Sequence, residues 1–463
     1  DSDSDSDSSS SSESDSDIGV YVKKNKTRNK KKKKKKSKKQ QEAAAKEAFQ
    51  NPVDPDSAMT QIQESLGSQF EEKKGATHKF WDNQPVLKLE DVVGADENTF
   101  LRPDDKIEDL KQDPYSLGDN FVWEDVDIDD DDKILEVYNL LKENYVEDDD
   151  NMFRFDYSVE FLQWALKPPG FRRDWHLGIR KAGNKELVGF ITAIPATVRI
   201  YEKKMRMVEI NFLCVHKRIR KKAMAPHLIR EITRRVNMTG IFQAVYTAGI
   251  VLPKPVASCR YYHRSLNPLK LIDIRFSPRP KSNVTSSMIQ KKYRLPNEPQ
   301  TPGVRPMKKK DVGKACALLQ NYLKQFHISA HFDEQEFAYW FLPRAGVIDT
   351  YVVEDPETKQ ITDMLSFYTL PSTIIGHQKY HTLKAAYSFY NVHTKTDIVD
   401  LMRDGLILAR KSDFDVFNAL DIFHNEHFLE PLKFGKGDGH LQYYFYNWKC
   451  PPTKPTNMGL VLM

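Results

Sequence analysis

The chain has 463 residues, of which 40% are hydrophobic and 29% are charged, and its formal net charge is +5. This length predicts two or three structural units, at about 150 residues per domain. No run approaches the roughly 18 consecutive apolar residues of a membrane span, and no secretory signal opens the chain, which favours a cytoplasmic protein. The cysteines are far apart with no CxxC pair, so neither a zinc site nor a disulfide framework is expected.

The amino-terminal segment, residues 1–76, is predicted to be a disordered tail and linker. It opens with an Asp/Ser block, Asp1–Asp17, whose composition cannot bury enough apolar area to fold. The lysine-rich run Lys30–Lys39 suits an anionic partner such as the ribosome or an anionic membrane, with no specific nucleic acid expected. The alternative is a solubilising linker. A short helix is predicted at Gln41–Gln50, and the folded part should begin near Phe80.

The next predicted elements form a helix and then a strand, strand, helix, strand series. Apolar residues spaced for a half-buried helix run from Lys133 to Tyr145. Two strands are predicted at Leu187–Val198 and Met207–Val215, followed by an amphipathic helix and a buried strand at Ile241–Ile250. The helix places one apolar face at Met224, Leu228, Ile229, Ile232 and Val236. This order is that of the acetyltransferase-like fold, which holds coenzyme A in a splayed sheet.

A second copy of this series can be read further along the chain. The prolines Pro195 and Pro371 are offset by 176 residues (371 − 195), and the histidines His216 and His393 by 177 (393 − 216). A predicted helix at 398–409 and a strand at 414–422 complete the second series. Tandem duplication is the simplest account, and convergence of two α/β halves is the alternative. We therefore predict a mixed α/β (α+β) fold of two acetyltransferase-like halves, 77–290 and 291–463, related by an approximate twofold axis.

Two motifs resemble the signatures of a known family. EINFLCVHK, Glu209–Lys217, ends a predicted strand ahead of a basic loop, where a β-bulge could free backbone N–H groups. This string is similar to a signature of the N-myristoyltransferases, and KFGKGDG at Lys433–Gly439 resembles their second one. The similarity runs from about Phe80 to Met463. It implies transfer of myristate from myristoyl-CoA, a co-substrate, to the amino-terminal glycine of other proteins. No metal is expected, because no trio of His, Asp or Cys has metal spacing. A monomer is expected.

The resemblance also implies which residues carry out the chemistry. The backbone amides of Phe212 and Leu213 would form the oxyanion hole that a thioester acyl transfer requires. The attacking amine has an ordinary pKa of about 7.7 to 8.0 and needs a base, which would be the terminal carboxylate of Met463. Thr247 would orient the amine, and Asn211 would support the same region. From the residues alone, Phe212 and Leu213 could equally be core, and chain ends usually fray.

The acyl donor is expected at the loop and helix that follow the first signature. In RKKAMAP, 220–226, a helix amino terminus and its basic residues would face the pyrophosphate, although such a loop is also typical of a solvated surface. The family usually has another arginine where this chain has Ala223, so one phosphate contact is expected to be absent. The residues expected to bind the donor are His78, Lys79, Phe80, Trp81, Val215, Arg220, Lys221, Lys222, Ala223, Met224 and Ala225.

The resemblance implies a peptide groove that is shaped mainly by the carboxy-terminal half. The residues that match the family's peptide-binding positions are Tyr145, Asp148, Asp150, Phe153, Gly249, Tyr261, His263, Ser388 and Asp438. The carboxylates of Asp148 and Asp150 would meet basic residues of the substrate, although a solvated acidic turn explains them equally well. His263 could also be an ordinary core histidine with a satisfied hydrogen bond.

Two other functions compete with this interpretation. One is an acyltransferase that uses a different acyl chain or acts on other amines. The other is a non-enzymatic adaptor, in which the lysine-rich tail is the functional part and the folded part only binds acyl-coenzyme A. The coexistence of both signatures with the apolar ending GLVLM favours the peptide acyltransferase.

Overall fold

The computed structural model describes residues 80–146, 152–280 and 282–463. The predicted tail, its lysine-rich run and the predicted helix Gln41–Gln50 lie outside the described residues. The strands are β1 (Phe121–Asp125), β2 (Phe153–Phe155), β3 (His176–Lys181), β4 (Leu187–Ile200), β5 (Lys203–Val215), β6 (Ala244–Ala248), β7 (Ala257–Ser265), β8 (Val304–Pro306), β9 (Ile328–Ala330), β10 (Ile348–Glu354), β11 (Ile361–Thr369), β12 (Ser372–Ile374), β13 (Thr382–Leu383), β14 (Ala385–Ser388), β15 (Val416–Leu420), β16 (Gly435–Tyr446) and β17 (Met458–Gly459). The helices are α1 (Asp131–Asn144), α2 (Val159–Leu166), α3 (Met224–Asn237), α4 (Pro268–Asp273), α5 (Ser286–Lys292), α6 (Val312–Leu323), α7 (Glu334–Phe341), α8 (Ile398–Lys411) and α9 (Glu426–Leu429).

One large sheet organises the described residues, and its strand order reads almost the same from both ends. The order is β1-β3-β4-β5-β6-β16-β7-β15-β14-β11-β10-β8. In one half, α3 connects the parallel neighbours β5 and β6, and in the other α8 connects the parallel neighbours β14 and β15. This mirrored order is the arrangement that a duplicated unit produces.

The two central strands are exchanged between the series. β7 follows β6 along the chain but pairs with β15 and β16 of the second series. β16, from the second series, pairs with β6 of the first. Each series therefore completes its part of the sheet with a strand from the other. The sheet is continuous between the two predicted halves, which were divided at residue 290.

Helices cover both faces of the sheet. Successive side chains of a strand point to opposite faces, and Met207 and Val208 of β5 accordingly belong to different apolar clusters. α3 packs with one of these clusters and α8 with a third, while α1, α2, α6 and α7 supply the largest cluster on the opposite face. The result is a layered α/β structure with a core on each side of the sheet.

Local sequence explains where the predicted elements begin and end. α1 starts two residues before the predicted helix because the Asp130 carboxylate accepts the N–H groups of Asp132 and Lys133 at 3.0 and 3.2 Å. β6 is shorter than predicted, since the turn after α3 and the irregular residues that follow it extend through Gln243 before pairing with β5 begins at Ala244. No described helix is both long and apolar enough to cross a membrane.

Candidate active site

A β-bulge interrupts β5 inside the first signature. Across the β4–β5 ladder Phe190 faces Cys214 and Thr192 faces Asn211, so two residues, Phe212 and Leu213, oppose the single residue between them. Phe212 has a φ of 56°, a left-handed conformation that is unusual for a large side chain. The bulge lies where the sequence predicted one. It takes the N–H groups of both residues out of the regular ladder register.

The neighbouring strand separates from β5 at the same place. β5 pairs with β6 only at Val208 and Glu209, and the bulge begins three residues later, at Phe212. Beyond that point the two strands diverge. Backbone groups that would otherwise be paired in the sheet therefore border an opening at the bulge.

Asn211 connects the bulge to two distant segments. Its Oδ1 accepts the N–H of Phe212 at 2.7 Å and the hydroxyl of Tyr145 at 3.3 Å. Its Nδ2 donates to the backbone oxygen of Met463, which is one of the two oxygens of the terminal carboxyl group. The phenyl ring of Phe212 is buried against Tyr157, with ring centroids 5.2 Å apart. One amide side chain thus links the predicted oxyanion residue and the last residue of the chain.

The carboxy-terminal segment is buried instead of frayed. β17 pairs with β9, and Leu460, Val461 and Leu462 are buried in the largest core cluster. The hydroxyl of Tyr443 donates to the carbonyl of Leu460 at 2.9 Å, and the hydroxyl of Tyr390 accepts the N–H of Val461 at 3.0 Å. The predicted burial of GLVLM is therefore confirmed, and two buried tyrosines hold its backbone.

Two ionisable groups beside the bulge have strongly shifted pKa values. Burial raises the pKa of Glu209 to about 8, partly opposed by a hydrogen bond from the backbone of Met463. Burial also raises the pKa of the Cys214 thiol to about 12. Glu209 is a neutral acid at pH 7, and Cys214 is present almost entirely as the thiol.

A cavity of about 450 Å³ opens beside the bulge toward the start of α3. Its lining includes Leu213, Val215, Arg220, Ala223 and Ala225, all of which the sequence had singled out. Ala223 has a φ of 54° and leaves the amino terminus of α3 without a side-chain cap. The first N–H groups of a helix without such a cap favour a negatively charged ligand.

The three basic residues of the predicted pyrophosphate loop, Arg220, Lys221 and Lys222, have different surroundings in the structure. The guanidinium of Arg220 donates to the carbonyl oxygens of Asn144 at 2.6 Å and Val215 at 3.2 Å. The ammonium of Lys222 lies 5.1 Å from the ring centroid of Phe121. Lys221 is exposed, whereas the side chain of Met224, the first residue of α3, is buried. Arg220 thus braces the loop against the end of α1, while its charge stays at the cavity.

Aromatic stacking places the start of the described chain beside the same region. Trp81 stacks on Tyr246 of β6 at 5.8 Å, and Tyr246 stacks on Tyr444 of β16 at 5.2 Å. The guanidinium of Arg230 in α3 lies 5.9 Å from the ring centroid of Phe80. Phe80 and Trp81 therefore pack at β6 and α3. His78 and Lys79 lie outside the described residues.

A second group of predicted residues gathers around Phe276. The rings of Phe153 and His263 both meet Phe276 edge to face, at 5.7 and 5.3 Å. The Nδ1 of His263 is 2.6 Å from Oδ1 of Asn418, and burial lowers the pKa of His263. His263 is thus neutral at pH 7 and held by one hydrogen bond.

The remaining peptide-side residues are distributed along neighbouring strands. Tyr261 of β7 meets Tyr387 edge to face at 6.3 Å, and the hydroxyl of Ser388 accepts a hydrogen bond from Asn391 at 2.8 Å. Asp438 is exposed where the β16–β7 register shifts. Thr247 faces Tyr443 across the β6–β16 ladder, and Gly249 directly follows β6. Asp148 and Asp150 lie outside the described residues.

Metal chemistry has no candidate ligand set in the part of the chain that the structure describes. No group of three or more His, Cys, Asp or Glu side chains there could hold a metal ion. All four cysteines are free and buried.

Comparison with known proteins identifies the family. The model of the myristoyl-CoA:protein N-myristoyltransferase N-terminal domain matches residues 100–259, and that of the C-terminal domain matches residues 273–461. The chain belongs to this N-myristoyltransferase family. The family predicted from the two signatures is therefore confirmed.

Individual relatives of the N-myristoyltransferase family agree over most of the chain. Glycylpeptide N-tetradecanoyltransferase 2 of Danio rerio is 53% identical over 429 residues, covering 91% of this chain and 86% of its own length. The Bos taurus protein of the same name is 57% identical over 385 residues, covering 83% and 76%. A crystal structure of Saccharomyces cerevisiae N-myristoyltransferase with bound myristoyl-CoA superposes with a TM-score of 0.80 at 39% identity, covering 83% of this chain and 99% of that one. The predicted α/β fold is confirmed.

Three residues of the site were not identified from the sequence. Glu209 lies inside the quoted signature, and a glutamate within an apolar strand was a readable signal. Tyr390 and Tyr443 gave no such signal, because a buried tyrosine in a strand-rich segment usually belongs to the core. Their partners at Leu460 and Val461 become apparent only when the carboxy-terminal segment is placed.

Proposed function

We infer that this chain transfers myristate from myristoyl-CoA to the amino-terminal glycine of other proteins. The observation that carries the inference is 53% to 57% identity with glycylpeptide N-tetradecanoyltransferases over more than four fifths of the chain. The predicted N-acyltransferase class is confirmed by the same relatives. The bulge, the cavity and the buried terminus supply the parts that such a reaction requires.

The acyl donor is proposed to bind along the cavity beside the bulge. The start of α3, at Met224 and Ala225, would direct backbone N–H groups to the pyrophosphate, with charge from Arg220, Lys221 and Lys222. Support comes from the missing side-chain cap at Ala223 and from the cavity that reaches this helix terminus. Val215 and the Phe80–Trp81 segment would line the remainder of the coenzyme A site, together with His78 and Lys79.

The oxyanion is proposed to form against the N–H groups of Phe212 and Leu213. Both belong to the bulge, and Leu213 lines the cavity. The N–H of Phe212 already donates to Asn211, so Asn211 would have to release it when the thioester oxygen arrives. A polar side chain that holds this donor in advance keeps it oriented at little cost when the reaction begins.

The base is proposed to be the carboxylate of Met463. This carboxylate takes a proton from the glycine ammonium, and the neutral nitrogen then attacks the thioester carbon. The C–S bond breaks, and the departing sulfur of coenzyme A takes the second proton that the nitrogen loses. Support comes from the burial of residues 460–462 and from the Asn211 hydrogen bond to Met463. Thr247 would orient the incoming amine from β6.

No covalent acyl-enzyme is proposed. Cys214 is the nucleophilic side chain that lines the cavity, and burial raises its pKa to about 12. At pH 7 only about one molecule in 10⁵ would carry the thiolate, which is the reactive form. Direct attack by the amine therefore fits the site better than a thioester on the enzyme.

The peptide is proposed to bind near Tyr145, Phe153 and the Phe276 group. Tyr145 contacts both the bulge residue Phe212 and Asn211, so it would lie where the substrate amine meets the thioester. Tyr261, His263, Ser388, Asp438 and Gly249 would border the groove further along. Asp148 and Asp150 would contact basic residues of the substrate.

We also propose separate roles for the two halves of the chain and a role for its amino-terminal lysine run. The division at residue 290 would assign donor binding to the first half and the peptide groove to the second. The run Lys30–Lys39 would bring the enzyme to ribosomes or to an anionic membrane surface, where its substrates emerge or act. We also propose a cytoplasmic location and a monomeric state.

One paired assay tests the function. The protein is incubated with tetradecanoyl-CoA and a glycine-initiated peptide, beside the same peptide with an amino-terminal alanine, and products are measured by mass spectrometry. Acylation of the glycine peptide alone is expected. Product from both peptides or from neither would refute the proposal, and equal turnover of acetyl-CoA would favour the acyltransferase of different chain specificity.

A further inference from the structure

Two polar residues on one face of β5 contact the same distant residue. Glu209 and Asn211 are two positions apart, so their side chains point to the same side of the strand. Glu209 is only 8% exposed, and its strand neighbours Ile194 and Val245 are apolar. A buried acid in such surroundings is costly unless a hydrogen bond or a functional role compensates.

The contacts of these two residues with Met463 are complementary. The carboxyl of Glu209 accepts a hydrogen bond from the backbone N–H of Met463. The amide Nδ2 of Asn211 donates to the backbone oxygen of the same residue. Two hydrogen bonds to the two ends of one residue fix both its position and its orientation.

We propose that Glu209 is a positioning residue that, together with Asn211, holds Met463 by both ends of its backbone and thereby aims the terminal carboxylate at the attacking amine. The proposal rests on the proposed function, in which that carboxylate takes the proton. Asn211 alone would leave the final residue free to rotate about one hydrogen bond. Glu209 removes that freedom before the peptide binds.

The charge of Glu209 matters because the N–H that it accepts and the terminal carboxylate belong to one residue. Burial raises the pKa of Glu209 to about 8, so it is mainly uncharged at pH 7. Tyr368 of β11 and Tyr390 also face it, and burial raises the pKa of both, so neither supplies a charge. Above pH 8 an ionised Glu209 would repel the neighbouring carboxylate and displace it.

The test uses two substitutions that separate hydrogen bonding from charge. Glu209→Gln keeps an oxygen that accepts the N–H of Met463 but cannot ionise, whereas Glu209→Leu removes the acceptor. Glu336→Gln is the matched control, since Glu336 is 9% exposed in α7 and contacts Arg206 away from the bulge. Each purified full-length protein is assayed for peptide acylation at saturating tetradecanoyl-CoA from pH 6.5 to 9.5, with a thermal melt of each.

Distinct outcomes follow for position and for charge. At pH 7 we expect Glu209→Leu to lower kcat at least tenfold with the KM for tetradecanoyl-CoA unchanged within twofold, and Glu209→Gln to stay within threefold of wild type. Above pH 8 the wild type and Glu336→Gln should lose kcat, and Glu209→Gln should not.

Wild-type kcat in Glu209→Leu, or pH profiles of wild type and Glu209→Gln that coincide, would overturn the inference. If Glu209→Leu does not fold, the pH profile of Glu209→Gln decides alone. An inactive wild type would instead refute the proposed function.

Discussion

The buried acid Glu209 should make folding of this enzyme depend on pH in a defined direction. Its pKa is about 8 in the folded protein, against an ordinary value of 4.5. Between these values the folded chain keeps a proton that the unfolded chain releases, so a rise in pH favours unfolding. Each pH unit in that window costs about 1.4 kcal/mol of unfolding free energy, and the full gap of about 3.5 pH units corresponds to roughly 5 kcal/mol.

Glutamine at position 209 removes the ionisation and keeps the shape of the side chain. We expect the free energy of unfolding of Glu209→Gln, relative to wild type, to rise by about 1.4 kcal/mol per pH unit between pH 5 and 8 and to level off above. Urea unfolding of both proteins in one mixed buffer at each pH measures this difference. Two stability curves that stay parallel across the window would refute the assignment of a raised pKa to this carboxyl.

Three other substitutions test separate parts of the site. Tyr443→Phe leaves the carbonyl of Leu460 without its donor, so we expect a loss of about 1 to 3 kcal/mol in unfolding free energy and a lower kcat; unchanged values of both would contradict the anchoring role. Ala223→Gly should raise stability by about 1 kcal/mol, since the residue is exposed and has a positive φ, and a thermal melt that falls would contradict this. Cys214→Ser should keep at least a tenth of the wild-type kcat, and a loss of about 10⁴ would indicate an acyl-enzyme after all.

Local pattern was sufficient to predict the helices α1, α3 and α8 and the strands β4, β5, β6 and β15. The apolar spacing in 133–145 and 224–236 predicted α1 and α3, because a helix that buries one face must repeat its apolar residues every three or four positions. Their ends depended on single side chains and turns. The Asp130 cap moved the start of α1 by two residues, and the irregular residues through Gln243 moved the start of β6 by three.

The residues of the candidate site could be predicted from the sequence only in part. The signature Glu209–Lys217 located the bulge, since a strand that ends beside a basic loop is a common place for one. The hydrogen-bond partners of its polar residues could not be predicted from the sequence. Arg220 was expected to add positive charge at the pyrophosphate, and the sequence did not show that two of its nitrogens donate to the carbonyl oxygens of Asn144 and Val215.

The sequence by itself determined the family, the fold class and the residues from which the site is built, because these follow from motifs and from the periodicity of neighbouring positions. Tertiary structure decided the exchange of β7 and β16, the anchoring of the terminus and the neutral state of Glu209. These features depend on pairings such as that of Asn211 with Met463, which are 252 positions apart. Local preferences do not specify such pairings, since the free energy that selects them is gained only when the whole core packs.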